Sequence, residues 1–370
     1  MVSDVLIFGA GSYARKLAKA FQAEGHTVHA FLSSRPAVTD QVDGIPWYGL
    51  DAVPGTLRDA GPVACGVFNR GDDYLSIATI LNNNGFDQIL WPWNYYPTLH
   101  RQLGWSYWMD AEPRDLGAWQ QDADYQQVIN LLADEQSREI IERIIAFRCG
   151  SDLPFSAYKS EEQQYFNHLT LQALPSDRPI TYLDVGAYNG DTLQNLCTKA
   201  VVGTAILLEP DPCNFSQLIE TATKLSHSHP QLQPIALPMG AGSEYGCISI
   251  AANGEASSLH ATDQASSGES HAVTVIPLDH MLPASHVDFV KIDVEGHDRE
   301  AINGMQNLLR RSMPVVAVSL YHRPRDFVDL TLYLKLILSD LTYRFYVRQH
   351  LYNSFETVLY AIPCRSLAPA

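Results

Sequence analysis

The run Tyr182-Leu-Asp184-Val-Gly186-Ala187-Tyr188-Asn189-Gly190-Asp191-Thr192 puts an acid at the end of an apolar stretch, with glycines close behind it. Glycine admits positive φ and lets backbone approach a ligand closely. The N–H groups of such a turn, and of the helix it opens, suit an anion such as an amino-acid carboxylate. Asp184 is then placed for an ammonium group on the same ligand, and capping of the next helix is the plain structural role of Asp191. A second acid, Glu209, follows the apolar Ala205–Leu208 and opens Glu209-Pro210-Asp211-Pro212, 209 − 184 = 25 residues after the first. At the tip of the neighbouring strand its carboxylate can accept hydrogen bonds from both hydroxyls of a ribose. A solvated strand-end acid is the plainer alternative, and the pairing with Asp184 argues against it.

Two further strand ends carry reactive groups. In Val287-Asp-Phe-Val-Lys291-Ile-Asp293-Val-Glu295-Gly296-His297 a buried strand delivers Asp293 and Glu295 to its carboxyl end, where open α/β sheets place their ligands. Strand alternation is expected to set both acids on one side. The run Val318-Ser-Leu-Tyr321-His322-Arg-Pro324 ends another strand. His322 titrates near neutrality, so it is the candidate base for a substrate hydroxyl, with Asp293 or Glu295 orienting it or the acceptor. Asp293 and Glu295 have the chemistry for a divalent cation, but no further ligand set accompanies them, and no metal is expected.

The elements that must position these groups alternate strand and helix. Strands are expected at Thr181–Val185, Ala205–Leu208, Leu232–Leu237, Phe289–Ile292 and Val315–Leu320, with helices near 192–199, 213–225, 298–311 and 326–338. Arg344–Arg348 and Thr357–Ala361 are expected to pair as antiparallel strands. Residues 243–276, rich in Gly, Ser and Ala, read as a hairpin and a mobile loop.

The N-terminal stretch repeats the alternation. Asp4–Phe8 reads as a strand, and Gly9, Gly11, Ser12 and Ala14 form a phosphate-type turn before a helix. The second strand ends in Ser33-Ser34-Arg35 where an acid would hold a ribose. That substitution favours a 2′-phosphate at Ser33 and Arg35, or a domain that binds no dinucleotide. Trp91, Trp93, Tyr95 and Tyr96 are either a stacking platform or core.

The fold class is therefore α/β with two Rossmann-like domains, residues 1–110 and 176–370, joined by a helical connector over 111–175. Each domain has apolar strands for its own core, so a chain starting near Asp115 is expected to fold alone. The net charge of 25 − 41 = −16 and the absence of a basic cluster argue against nucleic acid and anionic membrane partners. No apolar run is long enough to span a bilayer, and the first residues do not read as a signal peptide. Six scattered cysteines without a Cys-x-x-Cys pair suit a reduced, cytoplasmic chain with buried thiols. An oligomer is compatible with the sequence.

Taken together, Leu183–Thr192, Glu209–Pro212, Pro277-Leu-Asp279, Phe289–Gly296, Tyr321-His322 with Asp326, and Glu356–Tyr360 resemble the FkbM family of methyltransferases. Leu132–Ser137 and Gln164-Tyr165-Phe166 resemble that family's lead-in. The likeness covers about half the chain. It implies a class I methyltransferase fold, a seven-stranded, mostly parallel sheet with an antiparallel last strand. It also implies S-adenosyl-L-methionine as cofactor and O-methylation of a small hydroxyl acceptor such as a sugar, nucleotide sugar or polyketide. On that basis Asp184, Gly186–Thr192, Glu209, Pro210, Asp211 and Asp293 are expected around the cofactor. Tyr165, Ser258, Tyr321 and His322 are expected around the acceptor. The N-terminal segment also resembles small nucleotide-sugar-binding domains, partly through Gly44-Ile-Pro46-Trp-Tyr-Gly49. The rival reading is an NAD(P)-dependent oxidoreductase or a nucleotide-sugar-binding protein. It gives the Asp184 and Glu209 pair no role.

Overall fold

A computed structural model describes residues 4–153, 159–251 and 270–364. The described residues fall into two compact units. Met1–Asp122, Glu139–Lys159 and Leu351–Glu356 make the first, and Ala123–Arg138, Ser160–His350 and Thr357–Ala370 the second. The expected connector is thus divided between the units.

The first unit is built on β1 (Asp4–Phe8), β2 (Thr27–Ser33), β3 (Gln41–Val42), β4 (Ile45–Gly49), β5 (Val63–Cys65) and β6 (Ile89–Leu90), in the order β3-β4-β2-β1-β5-β6. All but β3 run parallel. The chain winds outward from β1 through β2 to β4, then returns to the other side at β5. This places a topological switch point at the ends of β1 and β5. The aromatic residues weighed as a stacking platform belong mostly to the core. Trp91, Tyr95 and Tyr96 are buried, Trp91 stacks on Tyr74 at 5.0 Å, and the Tyr95 hydroxyl donates to the Cys65 carbonyl at 2.8 Å.

Leu351–Glu356 completes this unit from far along the chain. Asn353 donates to the carbonyls of Asn69 and Asp72, Glu356 pairs with Arg70 at 2.7 Å, and Phe355 packs on Phe68 and Tyr107. Asn353, Ser354 and Glu356 all adopt left-handed φ. Of the thiols expected to be buried, Cys65 is, whereas Cys213 and Cys247 are exposed; all six cysteines are free.

The second unit carries β7 (Ile180–Val185), β8 (Val202–Leu208), β9 (Gln233–Leu237), β10 (Gly240–Ala241), β11 (Gly246–Ala251), β12 (Ser270–Ile276), β13 (Phe289–Ile292), β14 (Val315–Ser319), β15 (Tyr343–Gln349) and β16 (Thr357–Pro363). Seven of them form one sheet, ordered β15-β16-β14-β13-β7-β8-β9, in which only β16 runs antiparallel to its neighbours. β13, β14 and most of β7 and β8 are buried, which is why they read as near-continuous apolar runs. β11 and β12 form the expected hairpin, with β10 beside β12. Ser258, between them in sequence, lies outside the described residues.

The lead-in Leu132–Ser137 acts as a clasp on β15. Leu132 bridges Phe345, the Ser137 hydroxyl accepts from Val347 N–H at 3.0 Å, and buried Arg348 pairs with Asp134 at 2.6 Å. Among the described residues no helix is long and apolar enough to cross a membrane.

A fragment beginning near Asp115 keeps Phe147 but loses Tyr74, Trp93 and Trp108, which pack around it. The expected outcome is aggregation or a broad, non-cooperative melt instead of the independent folding suggested by the alternation of strands and helices. Circular dichroism melts and light scattering of the fragment check it.

Candidate active site

Four strand ends converge at the carboxyl edge of the seven-stranded sheet. β7 leads into the glycine turn. Gly186 (φ 89°) needs to be glycine because a Cβ there would sit 2.0 Å from the Asp293 carbonyl oxygen. The missing side chain therefore lets two strand-end loops close on one another, a role different from the expected approach to a ligand. The turn's N–H groups are also largely committed inside the fold. Gly186 and Ala187 donate to the Leu208 carbonyl, Gly190 to the Ala187 carbonyl, and Tyr188 to Glu209. Asp191 N–H goes to the Asn189 side chain and Thr192 N–H to Asp191. These donors do not form the open anion cradle that the glycine spacing suggested.

Asp184 is fully buried, and its partner is internal. Lys291, its cross-strand neighbour in the β7–β13 register, sits 3.0 Å away, and the Tyr182 hydroxyl donates at 2.9 Å. Lys291 also donates to the Gly186 carbonyl and lies 5.5 Å from the centre of the Tyr165 ring. Burial disfavours the ammonium, but Asp184 and then Asp293 outweigh it and hold the lysine above its ordinary range. Sequence reasoning passed over Lys291, although a lysine inside a buried strand requires an acidic partner.

Glu209, at the end of β8, is 5% exposed. One carboxylate oxygen accepts from Tyr188 N–H and the other from Asp211 N–H, both at 2.8 Å. A carboxylate has about four lone-pair sites, so capacity remains for two more donors. Asp211 itself caps the helix Pro212–Ser228 through the N–H groups of Cys213 and Asn214. Pro210 is partly buried and Asp191 exposed.

Asp293 and Glu295 do converge, by a route other than the expected alternation. β13 ends at Ile292, and a left-handed turn at Glu295 (φ 51°) and Gly296 brings the second acid back. His322 Nε2 lies 3.0 Å from Asp293 and 3.9 Å from Glu295, while Nδ1 hydrogen-bonds Asp298 at 2.8 Å. The ring is completely buried, whereas the side chains of Asp293 and Glu295 are 19% and 18% exposed. Burial opposes its charge, but Asp298, Asp293 and Glu295 outweigh burial and hold His322 well above its ordinary range. Burial likewise opposes ionisation of Asp293, and the His322 contact, Lys291 and Tyr165 overcome it, so Asp293 sits well below the usual carboxylate range.

Tyr165 donates to Asp293 at 2.7 Å and meets the Ser319 hydroxyl at 3.3 Å. It is held in a left-handed conformation (φ 65°) by Tyr360, whose hydroxyl accepts its N–H, and by Thr170, which donates to its carbonyl. Tyr321 is buried with its ring centre 4.4 Å from that of His322. Asp298, His322 and Asp326 bring ligating atoms within 4.8 Å of one another. The direct Nδ1–carboxylate hydrogen bond occupies the space a cation would need between the first two, so the cluster reads as a charge network.

In the first unit, Gly9 is left-handed and Gly11 precedes the helix Ser12–Ala23, where Ala14 is buried. The Ser33 hydroxyl donates to the Arg35 carbonyl and accepts from Trp47, while Arg35 is exposed.

A parallel sheet with one antiparallel strand inserted beside its edge, and acids at the ends of its first, second and fourth strands, defines a class I methyltransferase fold. Residues 184–345, less than half of the chain, match the methyltransferase FkbM domain. The chain is similar to a crystal structure of methyltransferase FkbM from Methylobacillus flagellatus KT, with TM-score 0.70 at 20% identity over 97% of this chain and 90% of that one. It is 31% identical over 156 residues to the hexuronic acid methyltransferase AglP of Haloferax volcanii. That match covers 40% of this chain and 59% of the relative, less than two thirds of its length.

Burial raises the Glu209 carboxyl from its ordinary 4.5 to about 7, against the pull of the Asp211 and Tyr188 N–H groups. The folded state thus holds this proton more tightly than the unfolded chain. The stability it contributes is complete below about pH 4.5 and is lost as pH rises through 7. The unfolding free energy of the wild type relative to Glu209→Gln should fall by up to about 3 kcal/mol between pH 4.5 and 8. Urea titrations of both proteins across that range check it.

Proposed function

We propose that the protein is an S-adenosyl-L-methionine-dependent O-methyltransferase acting on a hydroxyl of a small, sugar-type acceptor. The observation that carries this reading is the meeting of Glu209, Asp293 and Glu295 at one sheet edge beside the glycine turn, within the stretch that matches the methyltransferase FkbM domain. Glu209 fits a ribose because both its oxygens keep acceptor capacity. Asp184 does not fit the ligand ammonium, since its charge is spent on Lys291.

When bound, S-adenosyl-L-methionine supplies an electrophilic methyl group on a cationic sulfur. The protein must hold the acceptor oxygen in line with it, exclude water and accept the hydroxyl proton. The groups on the accessible side are Asp293 and Glu295, with the His322 ring behind them. Asp293 is held well below the usual carboxylate range and is a weak base, so we assign proton acceptance to Glu295 and orientation of the acceptor hydroxyl to Asp293, and to His322 the holding of the Asp293 carboxylate. Tyr165 fixes the other carboxylate oxygen. The hexuronic acid named for the archaeal relative motivates sugars as the first acceptors to try. A nucleotide or nucleotide sugar at the first unit's switch point stays a separate proposal.

Glu209→Ala should weaken S-adenosyl-L-methionine binding by about ten- to hundredfold, as expected for lost hydrogen bonds to a charged acceptor. Calorimetry with S-adenosyl-L-methionine, and with NADPH as the rival ligand, reads this directly. Unchanged affinity in a folded variant removes Glu209 from the site.

Once glycosides, nucleotide sugars and polyketide alcohols have been screened for an acceptor, Glu295→Gln should lower turnover by ~10²–10⁴-fold. Cofactor affinity should stay close to that of the wild type. Wild-type turnover in that variant removes Glu295 as the proton acceptor.

A further inference from the structure

Asp298 received no role from the sequence, yet it is 1% exposed beside the candidate active site. It opens the helix Asp298–Asn303, directly after the left-handed turn. One of its oxygens accepts from Val294 N–H at 3.3 Å. The other accepts from Gly296 N–H at 3.2 Å and contacts His322 Nδ1 at 2.8 Å. The two N–H groups flank Glu295, whose backbone is left-handed although it is not glycine.

We infer that Asp298 is the positioning residue of this site: one buried carboxylate fixes both the His322 ring behind Asp293 and the strained turn that presents Glu295. This rests on the methyl-transfer reading for its functional meaning, and on geometry alone for the positions. A carboxylate on Nδ1 sets the ring plane and keeps a proton on that nitrogen, so Nε2 points at Asp293. The same carboxylate supplies the acceptors that a left-handed Glu295 turn needs to persist. An asparagine would keep the shape but not the charge, and could serve only some of these donors.

The titration of His322 is set by every element packed on it. Asp293 and Glu295 face it from the end of β13, and Asp298 from the helix after the turn. Asp326, raised to about 7 by burial and by Asp298, faces it from the helix Asp326–Ile337. Tyr321 and Arg323 flank it on its own segment, and Lys291 and Tyr165 act through Asp293.

Nitrogen-15 spectra of the imidazoles test the inference on the full chain, with the His322 resonances assigned by their loss in His322→Gln. The expected wild-type result is a ring protonated at both nitrogens and not titrating between about pH 5.5 and 8.5, against an ordinary midpoint near 6.5. Asp298→Asn should bring that titration into the window, introduce a matching bend in the pH–rate profile and lower kcat at least about tenfold. Its S-adenosyl-L-methionine affinity should change less than about threefold, and Asp298→Glu should recover part of the rate. A wild-type His322 that titrates normally overturns the inference, even if Asp298→Asn fails to fold. So does an Asp298→Asn protein that loses only thermal stability. The imidazole spectra need neither cofactor nor acceptor, so their failure is separable from failure of the methyl-transfer reading.

Discussion

The buried ion pair between Lys291 and Asp184 is the constraint on which the site depends. The two residues are neighbours in register on the central strands β13 and β7. Neither charge can be left alone there, since breaking a buried pair from one side typically costs about 3–5 kcal/mol. The lysine is shared further, with the Gly186 carbonyl and the face of Tyr165. A single ammonium therefore ties together the strand that opens the glycine turn, the turn itself and the tyrosine that fixes Asp293. Moving any one of them disturbs the other two.

A second line of charge runs outward from that pair. Asp293 is stabilised as a carboxylate by Lys291 on one side and His322 on the other, and His322 is stabilised as a cation by Asp293 and Asp298. Charges of alternating sign, each partly desolvated, hold one another in their ionised forms. Backbone strain concentrates at the same place. Tyr165, Tyr188 and Glu295 are all left-handed, a conformation costing of order 1–3 kcal/mol for a non-glycine residue. Each is tied by a specific partner: Tyr360 and Thr170 for Tyr165, Glu209 for Tyr188, Asp298 for the turn at Glu295.

Much of the second unit was legible in its sequence. Phe289–Ile292 and Val315–Ser319 are short and fully buried, so they could be read directly as near-continuous apolar runs, and the antiparallel pair β15–β16 followed from spacing. The site was legible as a set of strand ends but not as a set of contacts. That His322 is enclosed, and that Asp293 and Glu295 meet through a left-handed turn, depends on a φ value at Glu295 that residue type does not encode. The turn N–H groups were misdirected for a similar reason: glycine spacing announces a tight turn, but not whether its donors face a ligand or Leu208. Lys291 was readable and was overlooked. Asp298 was not, since an acid at a helix start is ordinary. In the first unit, Trp91, Tyr95 and Tyr96 went to the core because burying large aromatic area is the stronger drive.

The segment Leu351–Glu356 belongs to the first unit although more than two hundred residues of the second precede it. A chain leaving the ribosome in order cannot finish its first unit when that unit's own strands have emerged. Arg70, Phe68 and the carbonyls of Asn69 and Asp72 wait for Glu356, Phe355 and Asn353 until the second unit's strands β7 to β15 have been made. Vectorial synthesis therefore brings the two closures close together in time, and the nascent first unit keeps an unfinished edge exposed to chaperones and proteases while the second unit is being made.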